Sequence, residues 1–293
     1  MHGAAHAQQA PRAIWTWEHE SYAMLEQRAA ADAAIAFLRA HGIQTVYLYA
    51  DAYKARNLLV SHPEQYRALI RRLRLAGIRT YALLGSAYLN TERYILPNRR
   101  ADALAMVQRV LTYNAAAPVE ERFDGINLDI EPHILDEWDK DKYALLEHFL
   151  DMSADLMELK RKYGQTLQVG PAIPFWWDGI QLEWRGRRRP VSEHAQDIYD
   201  YVALMDYRDR AEGQDGIIAH ALDELAYGKL IGKPVLLGVE TTPNEIQKVS
   251  FHHLKEADME RELGIAERAL RPQPAFGGFV IHHYRGYRDW LER

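Results

Sequence analysis

The fold is decided by one stretch, Phe123-Asp124-Gly125-Ile126-Asn127-Leu128-Asp129-Ile130-Glu131, which is followed by Pro132. In a β-strand, residues two apart share a face, so Asn127, Asp129 and Glu131 point one way and the aliphatic residues between them point the other way. Aspartate and asparagine are poor strand formers, and buried carboxylates are costly unless they are paired or do chemistry. The stretch therefore predicts a buried strand that carries a functional site.

On both sides of this stretch, short apolar runs alternate with longer amphipathic segments for eight rounds. The predicted strands are 13–17, 45–49, 79–84, 123–131, 166–172, 201–205, 234–239 and 278–281. The predicted helices are 21–41, 63–77, 99–114, 139–163, 192–198, 216–230 and 252–270, and a short last helix ends the chain. The longest irregular stretch is 174–190. Strands that alternate with helices imply parallel pairing, and eight such units predict an α/β protein whose residues 13–293 form one (β/α)₈ (TIM) barrel domain.

Polar residues recur where the predicted strands end. Glu131 ends the fourth strand, Asp206 and Tyr207 end the sixth, Glu240 ends the seventh, and His282 ends the eighth. In a barrel of this type these strand ends meet at one face, which is where active sites are built. The pattern therefore predicts an active site at the C-terminal face of the barrel.

Three segments together resemble the family 18 glycoside hydrolases, the chitinase-like enzymes. The stretch 123–131 is similar to the fourth-strand signature of that family at every position. Met205-Asp206-Tyr207 is similar to its sixth-strand segment, and Gly277-Gly278-Phe279-Val280-Ile281 is similar to the start of its eighth strand. The resemblance spans roughly half of the chain, in the expected order.

The resemblance implies a glycoside hydrolase in which Glu131 is the general acid and later the base. It implies that Asp129 orients the N-acetyl group of the substrate, which attacks in place of an enzyme nucleophile. Tyr207 would hydrogen-bond the same acetamido group, with Asp206 alongside. Asn127 and Asp124 would orient Asp129 from below. The partner is then an oligosaccharide or polysaccharide with N-acetylated or charged sugars, and no cofactor is expected.

Two departures from the family concern the substrate. The family commonly has Trp at the end of strand eight, as a floor under the reacting sugar, but here His282 takes that place, followed by His283 and Tyr284. The family's Ser-x-Gly-Gly on strand three is reduced to Gly85-Ser86. We therefore expect a sugar different from chitin, with His282 and Tyr284 among the residues that bind it.

Two other functions remain open. In retaining glycosidases with two glutamates, the acid/base ends strand four and the nucleophile ends strand seven, and Glu131 and Glu240 occupy those places. That mechanism needs no N-acetyl group, although its enzymes normally have Asn directly before the strand-four Glu, where this chain has Ile130. The other open function is that of a non-catalytic barrel that binds glycans.

The stretch 174–190 is rich in aromatic residues and arginines. It contains Phe175, Trp176, Trp177, Asp178, Trp184, Arg185, Arg187, Arg188 and Arg189. Aromatic faces stack on sugar rings, and arginines recognise anionic groups, so Trp176 and Trp177 are candidate sugar-binding residues together with Trp17. The alternative is a solvated loop whose tryptophans pack over the barrel.

Composition narrows the remaining classes. The net charge of −5 argues against a nucleic-acid binder, and no apolar run approaches a membrane span. Cysteine is absent, and no glycine-rich phosphate loop or His-Glu-x-x-His motif occurs, so no metal or nucleotide cofactor is expected. A metal-dependent deacetylase would need Asp129, His133 and His282. Residues 1–12 are expected to be a disordered tail or, through Ala5-His6-Ala7, a signal-peptide remnant that indicates a periplasmic or secreted protein rather than a cytoplasmic one.

Overall fold

The computed structural model describes residues 9–293, and its centre is a closed barrel of eight parallel strands. The strands are β1 Arg12–Thr16, β2 Thr45–Tyr49, β3 Arg79–Leu84, β4 Gly125–Leu128, β5 Gln168–Pro174, β6 Gln181–Trp184, β7 Arg187–Pro190, β8 Val202–Met205, β9 Val235–Glu240 and β10 Phe276–His282. Around the barrel the order is β1-β10-β9-β8-β5-β4-β3-β2. The predicted (β/α)₈ barrel is therefore confirmed.

Helices surround the barrel. They are α1 Glu18–Glu26, α2 Arg28–Ala40, α3 Leu58–Ser61, α4 Pro63–Leu75, α5 Arg100–Ala116, α6 Trp138–Lys162, α7 Val191–Ile198, α8 Ile217–Ile231, α9 Glu256–Leu270 and α10 Tyr284–Leu291. The predicted helix 21–41 is in fact two helices, because Gln27 between them is extended (φ −126°, ψ 113°). The predicted helix 252–270 starts four residues later, after a 3-10 turn at Phe251–His253.

The barrel wall has two apolar faces, as the alternation along β4 predicts. Ile126, Leu128 and Ile130 belong to the large core between strands and helices. A second, smaller cluster fills the barrel interior and is dominated by the large aromatic side chains of Trp15, Tyr47, Tyr81 and Tyr201. Because these bulky side chains fill the barrel interior, the barrel is a packed core and not a pore.

The segment predicted to be irregular, 174–190, is instead ordered. A 3-10 turn at Phe175–Gly179 leads into the antiparallel hairpin of β6 and β7. The indole Nε1 of Trp184 donates to Asp151 Oδ1 on α6 at 3.0 Å, and Arg189 pairs with Asp197 on α7. The hairpin is thus fastened to the outer helices at both of its strands.

The first described residues are part of the barrel. Arg12, which the sequence analysis placed in the tail, begins β1 and makes two 2.6 Å hydrogen bonds to Glu260 on α9. Ala10 is also buried, and its N–H donates to Glu267. The candidate signal remnant Ala5-His6-Ala7 lies outside the described residues. Within residues 9–293, the helices are all too short or too polar to cross a membrane.

Candidate active site

The floor beneath the strand ends is organised by Asn127. Its side chain is fully buried in the barrel, where Trp15 Nε1 donates to Oδ1 at 2.8 Å and Nδ2 donates to the hydroxyl of Tyr201 at 3.2 Å. A third hydrogen bond runs from Nδ2 to the carbonyl of Gly170. Asn127 therefore has no surface for a ligand and contributes by holding β4 against its neighbours.

Asp129 and Glu131 follow directly after β4, at the C-terminal face of the barrel. The backbone N–H of Asp129 continues the strand ladder by donating to Leu84 O at 2.7 Å. Burial raises the pKa of Asp129 well above its usual range, and the nearby carboxylates of Glu131 and Glu18 raise it further. The Oε2 atom of Glu131 lies 3.1 Å from Nε2 of His133, which orients that carboxyl group.

These two carboxyl groups open into a cleft of about 320 Å³. It is lined by Trp17, Glu18, Ser86, Ala87, Tyr88, Thr91, Glu92, Asp129, Glu131 and Ile134. Among these lining residues there are four carboxylic acids and no Lys, Arg or His. The side chain of Glu18 accepts a hydrogen bond from Ser86. The carboxyl group of Glu92 makes no ion pair or hydrogen bond with the side chain or backbone of another described residue. The cleft is therefore a site of negative potential.

Glu240 and His282 form a separate, hydrogen-bonded pair at the ends of β9 and β10. Nδ1 of His282 lies 2.7 Å from Oε2 of Glu240, and Nε2 of His282 accepts from the indole N–H of Trp17 at 3.1 Å. Burial acts to raise the pKa of Glu240, but the hydrogen bonds from His282 and Thr242 outweigh it and leave the pKa below the usual range. Glu240 is therefore a buried, ionised anchor.

Tyr207 stands between the two groups. Its ring centroid is 5.8 Å from that of His282, and its hydroxyl is held neutral because burial raises its pKa, with further contributions from Glu240, Asp129 and Glu131. A neutral phenol is a hydrogen-bond donor. Tyr207 can therefore donate to an oxygen atom of a bound ligand.

Two predicted residues lie away from the cleft. Asp206 is completely buried on the opposite face of the chain from Tyr207, near Arg208, Glu224 and Asp215, because neighbouring strand residues alternate in direction. Asp124 precedes β4 at the other end of the barrel, where it accepts from Arg74 and from the N–H of Thr80, both at 2.9 Å. Five residues of extended chain separate it from Asp129 by about 16 Å. Neither residue can orient the carboxyl groups of Asp129 and Glu131 directly.

The predicted sugar-binding aromatics divide in the same way. Trp17 lines the cleft. Trp176 packs edge-on against His133, at 5.4 Å between centroids, and so touches the site only through that residue. Trp177 is 1% exposed and packs against Phe149, while Tyr284 is 5% exposed and packs against Phe37. Trp177 and Tyr284 are core residues, and their assignment to sugar binding is corrected.

Sequence reasoning missed the residues supplied by the loop after β3. Tyr88 and Glu92 lie on two 3-10 turns, Ala87–Leu89 and Thr91–Ile95, that form one wall of the cleft. The only available signal was the position of this loop beside the motif strand, since β3 pairs with β4. His133 was considered only as a metal ligand, and the structure places it on Glu131.

No group of three or more His, Cys, Asp or Glu side chains within residues 9–293 is arranged to hold a metal ion. The set Asp129, His133 and His282, which a metal-dependent deacetylase would need, is thus not a ligand cluster. His133 instead faces Glu131, and His282 faces Glu240.

Comparison with known proteins gives a likeness in structure but none in sequence. No protein-family model and no curated protein matches the chain. A family 18 chitinase from Cycas revoluta in complex with (GlcNAc)3 is 13% identical and has a TM-score of 0.57, with 96% of this chain and 97% of that chain covered. A class V chitinase from Nicotiana tobaccum in complex with NAG4 is 11% identical, with a TM-score of 0.55 and 96% of each chain covered.

A different glycosidase is equally similar in shape. An exo-β-1,4-mannosidase from an Opitutaceae bacterium is 16% identical and has a TM-score of 0.60, with 96% of this chain but only 53% of that chain covered. At these identities the likeness concerns the fold alone. Over nearly its whole length, the chain shares the closed (β/α)₈ fold of these chitinases and of this mannosidase.

Proposed function

We propose that the protein is a glycoside hydrolase that cleaves an N-acetylated oligosaccharide or polysaccharide, with Glu131 as acid/base and Asp129 as the residue that assists the substrate's acetamido group. The observation that carries this proposal is the placement of both carboxyl groups, side by side, in one cleft at the C-terminal face of the barrel. The likeness in fold to chitinases that bind N-acetylglucosamine oligomers is consistent with it.

The proposed reaction has two steps. In the first, Glu131 gives its proton to the glycosidic oxygen while the acetamido oxygen of the same sugar bonds to the anomeric carbon, and the bond to the leaving sugar breaks. Asp129 accepts a hydrogen bond from the acetamido N–H, and the Tyr207 hydroxyl donates to the acetamido oxygen. In the second step, Glu131 takes a proton from water as the water oxygen bonds to the anomeric carbon. The bond between that carbon and the acetamido oxygen breaks, so the acetamido group is regenerated, the product is released and Glu131 is again protonated.

The geometry of Glu240 does not favour the two-glutamate mechanism. Its Oε1 accepts three hydrogen bonds, from the N–H groups of Thr241 and Thr242 and from the Thr242 hydroxyl, at 2.7 to 2.8 Å. Its Oε2 accepts from His282, and the residue is only 7% exposed. A nucleophile needs an oxygen atom free to reach the anomeric carbon. We therefore assign Glu240 to the support of the site.

The charge of the cleft restricts the proposed sugar. Of the four carboxylic acids that line it, Glu18 and Glu92 are neither the proposed proton donor nor the residue with the raised pKa, and the lining contains no lysine or arginine. An anionic glycan would have to be placed against like charges, which costs free energy in a partly desolvated site. Arg189 of the hairpin cannot offset this, since it is bound to Tyr227 and Asp197 on the outer surface. We therefore propose an N-acetylated glycan that is neutral or carries free amino groups on sugars other than the reacting one, and not a uronic or sulfated glycan.

The experiment is a cleavage assay on N-acetylchitotetraose and on β-1,4-mannotetraose, with the wild type and Glu131→Gln. We expect the wild type to cleave the N-acetylated tetramer, which supplies the acetamido group, even though His282 at the end of β10 predicts that chitin is not the preferred substrate. We expect Glu131→Gln to lose at least about 100-fold in kcat while it still binds, because the general acid alone has been removed. Cleavage of mannotetraose only would contradict substrate assistance. Binding of a tetramer by the wild type without cleavage would favour the glycan-binding barrel.

A further inference from the structure

A partly buried chain of two hydrogen bonds connects Glu240, at the end of β9, with Trp17, which lines the cleft. We infer that Glu240 and His282 are positioning residues that fix the indole of Trp17 as a platform for a sugar ring. This assignment rests on the proposed function for its meaning, but the chain itself is a property of the free protein. It runs from Glu240 to Nδ1 of His282 at 2.7 Å, and from Nε2 of His282 to the indole nitrogen of Trp17 at 3.1 Å.

Glu240 supplies the fixed end of this chain. Both of its oxygen atoms are occupied, by four hydrogen bonds in total, and three of the donors belong to Thr241 and Thr242 immediately after β9. Donors on His282 and Thr242 also lower the pKa of the carboxyl group, against the effect of burial. An ionised carboxylate so held is a strong acceptor for the imidazole N–H.

The indole determines which tautomer His282 has. An indole N–H can only donate, so Nε2 of His282 must be an unprotonated acceptor and the ring proton is on Nδ1, where it faces Glu240. A carboxylate that orients an imidazole, which in turn orients a third group, is a known way to hold a site rigid. Here the third group is an aromatic ring instead of a nucleophile or a metal.

Packing excludes other orientations of His282. Its ring lies among those of Trp15, Trp17 and Tyr207, with centroid distances of 6.0, 5.9 and 5.8 Å. Trp17 itself is half-buried and lines two clefts, the one of about 320 Å³ and a neighbouring one of about 380 Å³. A tryptophan held in one rotamer offers a flat apolar face without the entropy cost of ordering it on binding.

This arrangement gives a reason for a histidine at the end of β10, which is the eighth strand of the barrel in chain order. The ring of His282 is in contact with those of Trp15 and Tyr207, and both of its nitrogen atoms are used, one by Glu240 and one by Trp17. It instead restrains Trp17 through the hydrogen bond to the indole. Trp17 directly follows β1, the strand that pairs with β10. The stacking surface is thus moved from β10 to β1.

The first test needs no substrate. In a ¹H–¹⁵N spectrum, the indole resonance of Trp17, assigned by its loss in Trp17→Phe, should shift in His282→Asn and in Glu240→Gln. The indole of Trp184, which donates to Asp151 on the outer surface, is the matched control and should not move. His282→Gln replaces the asparagine variant if that protein unfolds. A Trp17 resonance that is unchanged in both His282 and Glu240 variants would overturn the inference.

The second test measures whether the effects of Trp17 and His282 on the kinetics with N-acetylchitotetraose depend on each other. We expect Trp17→Phe and His282→Asn each to raise KM by about tenfold and to lower kcat by a smaller factor, because ground-state binding of the sugar is lost. The double variant should be no worse than the more affected single one, since both changes break the same chain. Multiplicative effects would show independent roles and contradict the inference. If the wild type does not turn over this substrate, the proposed function fails, and the spectroscopic test still decides the inference.

Discussion

Gly85 lies directly against the backbone of Asp129, so that a Cβ atom at Gly85 would overlap the carbonyl oxygen of Asp129. Its φ of +107° is in the region that favours glycine. The end of β3 thereby sets the position of the chain after β4, which carries Asp129. Because backbone atoms cannot move aside as a flexible side chain can, the substitution Gly85→Ala should displace Asp129 from the cleft.

For Gly85→Ala we expect a loss of at least about 100-fold in kcat/KM and a decrease in unfolding free energy of about 2 kcal/mol or more, from strain and a displaced backbone. Gly179→Ala is the matched control, because Gly179 lies outside the left-handed region and a Cβ atom there would meet no other atom within 4 Å. Steady-state kinetics and urea unfolding measure both effects. A Gly85→Ala enzyme with wild-type activity would show that this contact does not position Asp129.

The raised pKa of Asp129 predicts a pH dependence. Below this pKa the carboxyl group is protonated and above it is ionised, so Asp129 changes charge at a higher pH than an ordinary aspartate. We expect a plot of kcat/KM against pH for the wild type to contain a limb, that is, a sloping segment, in the pH range where Asp129 changes charge. Asp129→Asn should reduce activity by about 100-fold or more and remove that limb, since asparagine does not titrate. The same limb in the variant would assign the titration to another group.

The acidic cleft predicts that the protein binds neutral or cationic sugars more tightly than anionic ones. We expect a partly de-N-acetylated chitin oligomer to bind at least as well as the fully acetylated one, and a uronate-containing oligomer to bind at least about tenfold more weakly at low salt. Glu92→Gln should narrow this difference, because Glu92 has no partner among the described residues that would neutralise its charge. Calorimetric titration at two salt concentrations measures it. Tight binding of the uronate oligomer would contradict the charge argument.

Glu224 predicts how stability depends on pH. Burial, with a smaller contribution from Asp178, raises its pKa to about 8. Between the ordinary glutamate value and about 8, the folded state binds more protons than the unfolded state, so stability falls as pH rises through this window. The slope from this one group approaches about 1.4 kcal/mol per pH unit.

Urea unfolding of Glu224→Gln at pH 5, 6.5 and 8 tests this dependence. We expect the pH slope of the variant to be smaller by the share that Glu224 contributes, up to about 1.4 kcal/mol per pH unit. We also expect the variant to be more stable than the wild type at pH 8, where the wild type must ionise a buried carboxyl group. Glu212→Gln, at an exposed glutamate, is the control and should retain the slope. Equal slopes in the wild type and Glu224→Gln would show that Glu224 keeps access to solvent.

The barrel could be predicted from local patterns because its units repeat. Strands such as Thr45–Tyr49 and Arg79–Leu84 have the predicted bounds, since glycine or turn residues precede each apolar run. The shared face of Asp129 and Glu131 also followed from alternation, although β4 covers only Gly125–Leu128 and not the predicted 123–131. Where local patterns failed, the cause was a contact between distant residues: the hairpin of β6 and β7 is held by Asp151 and Asp197, which the pattern of 174–190 does not contain.

The candidate site was less predictable than the barrel. Asp206 has the same side chain as Asp129. It is one residue before Tyr207, however, and a shift of one residue along a strand reverses the face on which a side chain lies. Trp177 and Trp17 are likewise the same residue type, and only the tertiary structure shows that one packs on Phe149 and the other opens into the cleft. The wall formed by Tyr88 and Glu92 depends on a loop conformation that no repeat encodes.

The closure of the barrel has a consequence for how the chain folds during synthesis. Strand β10 is paired with both β1 and β9, and Arg12 lies opposite Phe279 in this pairing. Until the segment Phe276–His282 has left the ribosome, β1 and β9 each expose an edge of unpaired N–H and C=O groups that can pair with other chains. The barrel therefore cannot close, and these two edges cannot be protected, before the arrival of the same strand that carries His282.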